Sequence, residues 1–214
     1  MKYFTKLPIL FSKNLLEQSL KEVLTITDFP KVITEHPPLK PPIELNKNKV
    51  YYQIALTRRN QEPEPDCFYI HNKGDNLELR DSDIGVVENV NEIDDYHKEF
   101  EYDDFIPAFR HTYFHDVYNQ IKEYMVSMNF MLGRARLRLS NPLTTLSWHT
   151  DDQANVHIPI ITSPESRIVI EDEMLHMPAG ECWVADVTHG HTQFNASKDI
   201  ERVHMVIVIK EIHP

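Results

Sequence analysis

The chain has 214 residues, 41% of them hydrophobic and 10% aromatic, which suits one packed domain. Thirty-three acidic residues against 22 basic ones give a formal net charge of -11, which argues against a broad basic face for nucleic acid or anionic membrane. Two cysteines, Cys67 and Cys182, make neither a disulfide framework nor a zinc-binding spacing.

The first stretch, Met1 to Lys13, has an apolar run broken by Lys6. It is too short for a secretory leader, and no small-residue cleavage site follows. No run approaches the roughly 20 apolar residues of a membrane span. The expectation is a soluble cytoplasmic protein with no membrane or nucleic-acid partner.

Ser12 is placed to cap a helix carrying Leu15, Leu16, Leu20, Val23 and Leu24 at helical spacing. The proline-rich stretch Phe29 to Pro42 reads as an extended connection, and Val50 to Thr57 as a strand. Cys67 to Ile70 and Ile84 to Val87 are shorter strand candidates. The acidic segment Asn91 to Asp104 reads as a solvated loop. A second helix is expected from about Ile106 to Met125, with Asp103 and Asp104 at its positive end and Pro107 in its first turn. Phe109, Tyr113, Val117, Ile121 and Tyr124 form its apolar stripe.

After Gly133 the texture changes to short β segments. Arg134 to Leu139 alternates strictly, with Arg134, Arg136 and Arg138 on one face, read as an outward solvated face, and Ala135, Leu137 and Leu139 on the other. Val156–Ile161, Arg167–Ile170, Glu181–Ala185 and Val203–Ile209 continue the series, separated by turn residues such as Pro178-Ala179-Gly180. Strands at this spacing predict a barrel or sandwich, mainly β with helical additions. Residues 1–130 would supply helices and supporting strands, and 131–214 a barrel core within one domain.

The chemistry concentrates near the C-terminus. His149 and Asp151 stand two apart in Ser-Trp-His-Thr-Asp, so on a strand they share a face. His191 follows in Thr-His-Gly-His. Two imidazoles and one carboxylate are the ligand set that holds Fe(II) and leaves positions open for O2 and a co-substrate. Asp152 competes with Asp151 but points to the other strand face, and His189 competes with His191. Arg202 opens the apolar run Arg-Val-His-Met-Val-Ile-Val-Ile, where a fixed guanidinium can fork onto one end of a dicarboxylate. Arg138, the arginine nearest the metal loop, is a candidate for a substrate carboxylate. His204 and Trp183 read as core residues, as does His176.

From Gly133 to Lys210 the sequence resembles the aspartyl/asparaginyl β-hydroxylase family of Fe(II)/2-oxoglutarate oxygenases, closest to its small bacterial members such as the proline cis-4-hydroxylases. The resemblance rests on Arg-Leu-Arg-Leu-Ser (136–140), Trp-His-Thr-Asp (148–151), Val-His-Ile-Pro-Ile (156–160), the block 176–186, His191 and Arg-Val-His-Met-Val-Ile-Val (202–208). It implies a double-stranded β-helix, a jelly-roll or cupin-like barrel. It also implies His149, Asp151 and His191 as iron ligands, and the family spacing favours His191 over His189. Arg202 would clamp the distal carboxylate of 2-oxoglutarate, with His157 beside that co-substrate. The implied reaction is hydroxylation of an amino acid or peptidyl side chain, using O2. The rival readings are a cupin-type metalloenzyme without 2-oxoglutarate, a non-catalytic ligand-binding barrel, and a zinc hydrolase.

Overall fold

The computed structural model describes residues 1–27, 31–35, 48–58 and 99–212. The strand candidates Cys67–Ile70 and Ile84–Val87, and most of the acidic segment, lie outside the described residues.

The chain begins with strand β1 (Phe4–Leu10) and helix α1 (Lys13–Ile26). Leu16, Leu20 and Val23 form its buried stripe, while Leu15 is exposed and Leu24 half-buried. Ser12 stands at the N-cap, but its hydroxyl makes no capping bond; its carbonyl accepts from Leu16 N. Strands β2 (Lys31–Glu35) and β3 (Asn48–Ala55) follow, so part of the expected connection is a strand paired with β3. Two short strands, β4 (Thr57–Arg58) and β5 (Asp104–Phe105), pair with each other.

The second helix starts later than the sequence suggests. Pro107–Phe109 makes a 3₁₀ turn, and helix α2 runs Tyr113–Ser127. Two interactions explain the shift. Asp104 is drawn to Arg58 and Arg110 at 2.9 and 2.7 Å rather than standing at a helix end. The first free amide of α2, Tyr113 N–H, donates to Ser19 Oγ of α1. The buried stripe accordingly becomes Phe114, Val117, Tyr118, Ile121 and Met125.

The remaining chain alternates between two sheets. Strands β6 (Phe130–Ser140), β8 (Ala154–Ile161), β11 (Glu181–Ala185) and β13 (Arg202–Glu211) lie in a seven-stranded sheet ordered β1-β11-β8-β13-β6-β3-β2. Strands β7 (Thr144–Thr145), β9 (Ser166–Ile170), β10 (Glu173–Leu175) and β12 (His191–Asn195) form a four-stranded sheet ordered β10-β9-β12-β7. All these pairings are antiparallel. A chain that crosses from sheet to sheet in this way is a double-stranded β-helix. Among the described residues, no helix is long and apolar enough to cross a membrane.

Both faces of the large sheet are covered, which decides the fate of β6. Ala135 and Leu137 share one face with Ile158, Met205 and Ile207, and pack under Leu16, Val23, Val117 and Ile121 of the helices. The other face turns toward the small sheet, where Trp183 and Ala185 meet Ile168 and Ile170. Cross-strand partners point the same way. Trp183 pairs with His157, His157 with Val206, Val206 with Arg136, and Arg138 with both His204 and Gln53. The arginine face of β6 is therefore the barrel interior, and the outward solvated face expected for it is corrected. Arg134 stacks on the Tyr102 ring at 3.9 Å and pairs with Glu99, which also faces Arg136 at 3.9 Å. Glu99 of the acidic segment is thus docked on arginine, while Glu101 is exposed.

Candidate metal centre and anion pocket

His149 and His191 face each other across an isolated β-bridge between the loop before β8 and the start of β12. Each donates its amide to the other's carbonyl, at 3.0 and 2.8 Å. Asp151 lies in the same loop and not on a strand, so the period-two argument does not place it. Its amide donates instead to Val187 O at 2.9 Å. The result still brings the three side chains together. His149 Nε2 is 3.6 Å from Asp151 Oδ1, His191 Nε2 is 3.9 Å from Asp151 Oδ2, and the three donor atoms lie within 4.8 Å of one another.

Hydrogen bonding sets the imidazoles up as donors to a cation. His149 Nδ1 lies 2.7 Å from Ser147 O, and His191 Nδ1 lies 3.1 Å from His189 O. A carbonyl only accepts, so each Nδ1 carries the proton and each Nε2 presents its lone pair to the centre. Two imidazoles and a carboxylate, with His149 half-buried, fit a divalent first-row ion with free positions. The competitors point elsewhere. His189 is exposed, 3.3 Å from Asp186, with its ring against Tyr3, and Asp152 is exposed.

Deeper in the barrel lies a buried guanidinium. Arg202 is 1% exposed. Its Nη1 donates to Gln193 Oε1 at 2.7 Å and its Nη2 to His204 Nδ1 at 3.0 Å. No carboxylate pairs with it among the described residues. Burial, and then Arg138 nearby, push its pKa down to about 9. Because a guanidinium can only donate, His204 Nδ1 accepts and its proton sits on Nε2, which is buried with no partner among the described residues.

His157 lies within electrostatic reach of Arg202, Arg138 and His191. Both of its ring nitrogens are buried with no hydrogen-bond partner among the described residues, and its ring meets that of His204 edge-on at 5.8 Å. Burial, then Arg202, hold both histidines well below their usual pKa, so they are neutral near pH 7. Arg138 Nε is likewise buried with no partner among the described residues. Orphaned donors on this scale are costly unless a ligand satisfies them.

Gln193 was not singled out from the sequence. It stands two residues after His191 on β12, so strand periodicity alone puts it on the same inward face. Its Nε2 donates to Ser140 Oγ at 2.8 Å, which ties the small sheet to β6 beside Arg202.

A family model described as aspartyl/asparaginyl β-hydroxylase matches residues 102–212, just over half of the chain. No curated protein sequence matches it. Among solved structures, AviO1 from Streptomyces viridochromogenes Tue57 aligns over 99% of this chain and 92% of its own, at 12% identity and a TM-score of 0.50. A 2OG-Fe(II) oxygenase family oxidoreductase from Burkholderia pseudomallei aligns over 50% of this chain and 59% of its own, at 12% identity and a TM-score of 0.38. The nickel complex of the non-heme monooxygenase ThoJ aligns over 97% of this chain and 73% of its own, at 12% identity and a TM-score of 0.46. At 12% identity the likeness to AviO1 bears on fold alone.

Proposed function

The chain belongs to the aspartyl/asparaginyl β-hydroxylase family, and from that premise we propose that it is an Fe(II)/2-oxoglutarate-dependent dioxygenase hydroxylating an amino acid or a peptidyl side chain. The observation that carries the reading is Arg202, a buried guanidinium without a carboxylate among the described residues, behind a His-Asp-His cluster. A carboxylate-bearing co-substrate supplies the missing anion.

His149, Asp151 and His191 would hold the iron through Nε2, a carboxylate oxygen and Nε2. Bound there, Fe(II) with 2-oxoglutarate and O2 supplies oxidative decarboxylation to succinate and CO2, coupled to conversion of an unactivated C–H to C–OH. Arg202 would neutralise the far carboxylate of 2-oxoglutarate, with His204 held against it through Nδ1. His157, neutral and unpartnered, serves the co-substrate between Arg202 and the metal as a hydrogen-bonding group rather than a proton carrier. Arg138, on the inner face of β6, is assigned to a substrate carboxylate. The apolar wall of Trp183, Ile168 and Ile170 keeps bulk water from one side of the barrel.

The test is succinate formation from 2-oxoglutarate by anaerobically Fe(II)-loaded protein, with a panel of free amino acids and short peptides. Turnover stimulated by one of them and lost in Asp151→Ala is the expected result. Absence of both turnover and 2-oxoglutarate binding would sink the reading.

A further inference from the structure

Strand β9 ends at Ile170, which pairs with His191, and also with Glu173 at the start of β10. The hairpin loop is thus two residues long, Glu171-Asp172. Only its first residue has a positive φ, 49° at Glu171. Turns of this length with left-handed backbone at the first position favour glycine there. A glutamate stands in that place, and both its backbone and its side chain reach one residue. Glu171 N–H donates to Gly190 O at 2.9 Å, and Gly190 N–H donates to Glu171 Oε1 at 2.8 Å.

Gly190 directly precedes His191. Its carbonyl belongs to the peptide that carries His191, and its amide to the peptide from His189, whose carbonyl lies against His191 Nδ1. The side-chain space at Gly190 is also closed. A Cβ there would lie 2.6 Å from Trp148 Nε1 and 2.8 Å from Glu171 Oε1. Trp148 in turn directly precedes His149. One strained glutamate therefore holds the residue before one histidine of the cluster, and the indole that precedes the other histidine lies against it. Strain of this kind persists where surrounding contacts over-determine it, and it gathers at sites that need fixed geometry.

We propose that Glu171 is a positioning residue for the metal centre: it clamps Gly190 and so fixes the aim of His191 Nε2. The proposal rests on the reading of His149, Asp151 and His191 as metal ligands. Groups that orient ligands without touching the metal typically change its affinity ten- to a hundredfold when removed.

The left-handed turn makes a clean test possible, because Glu171→Gly removes the clamp while giving the turn its favoured residue. Co(II) binding to the full-length apoprotein would be measured by calorimetry, beside the melting temperature of the metal-free form. The expected result is a Co(II) dissociation constant raised about tenfold or more in Glu171→Gly, with the metal-free melting temperature unchanged or raised. Glu171→Gln keeps an acceptor at Oε1 and should bind within a few-fold of the parent. Unchanged Co(II) affinity in Glu171→Gly would overturn the clamp while leaving the ligand reading intact. So would a fall in the metal-free melting temperature, which would make Glu171 a fold residue, or a Glu171→Gln variant as impaired as the glycine one. A parent protein that binds no Co(II), with Asp151→Ala no different from it, would overturn the ligand reading and the clamp together.

Discussion

Arg202 shows how a single residue can be legible in type and yet acquire its meaning only from its surroundings. An arginine opening an apolar strand is a plausible clamp in any barrel. What makes this one a candidate anion site is the company it keeps: an amide oxygen, a neutral imidazole and a second arginine, with no carboxylate among the described residues. Arg202→Ala should raise the 2-oxoglutarate concentration for half-saturation by ~30-fold or more, about 2 kcal/mol for a lost charge-assisted fork. The maximal rate should change less, and titrating the co-substrate separates the two. The choice between two histidines belongs to the same scale. His189→Ala should leave Co(II) affinity within a few-fold, because that side chain faces Asp186 and Tyr3, whereas His191→Ala should abolish it. Calorimetry of the two variants side by side decides the matter.

Among the elements, β6 and α2 carry the lesson about context. The alternation of β6 is visible in Arg134 to Leu139, but alternation does not say which face is wet. Helices over one face and a second sheet over the other leave β6 no solvated face, so the arginines line the interior. In α2 the apolar spacing is visible, but its phase and start were decided by Ser19 from another helix and by the pull of Arg58 and Arg110 on Asp104. Ile121, fully buried against the large sheet, should cost roughly 2–5 kcal/mol when cut to alanine, read as a lowered urea midpoint. Gly180 tests a turn. It has φ 83°, donates its amide to Pro159 O, and a Cβ there would lie 2.5 Å from Phe11 O, a backbone atom that cannot step aside cheaply. Gly180→Ala should destabilise by about 1–3 kcal/mol in the same assay, although alanine is the smallest possible change.

At the scale of the whole molecule, sign and place of charge separate. The chain carries a net -11, yet the inner face of the large sheet carries Arg134, Arg136, Arg138 and Arg202, the first two facing Glu99 and the last two near each other. The arrangement of charge is therefore local, which a sum over the sequence conceals. The same interior makes stability pH-dependent. His157 and His204 have folded pKa values well below their usual 6.5, through burial and then Arg202. Above that value both states are neutral and these residues contribute no slope. Below it the unfolded chain takes up protons that the folded chain refuses, so stability falls as pH drops and levels off only at the depressed folded values. The slope should approach about 1.4 kcal/mol per pH unit for each histidine. Urea midpoints of the metal-free protein between pH 7 and 5 should show it, and His204→Gln should lessen it. An unchanged slope in that variant would assign the acid sensitivity to other groups.

Residue types and their spacing pointed to a β barrel in the C-terminal part and offered His149, Asp151 and His191 as a candidate ligand set and Arg202 as a candidate clamp, because strand periodicity and ligand chemistry are local properties. Tertiary structure alone decided what depends on distant partners. It put Asp151 on a loop held by Val187, turned His189 outward onto Asp186 and Tyr3, faced the arginines of β6 inward, and set Gln193 and Glu171 behind Arg202 and His191. Each of these rests on a contact between residues far apart in the chain, and a hydrogen bond or a buried face exists only once both sides have been brought together.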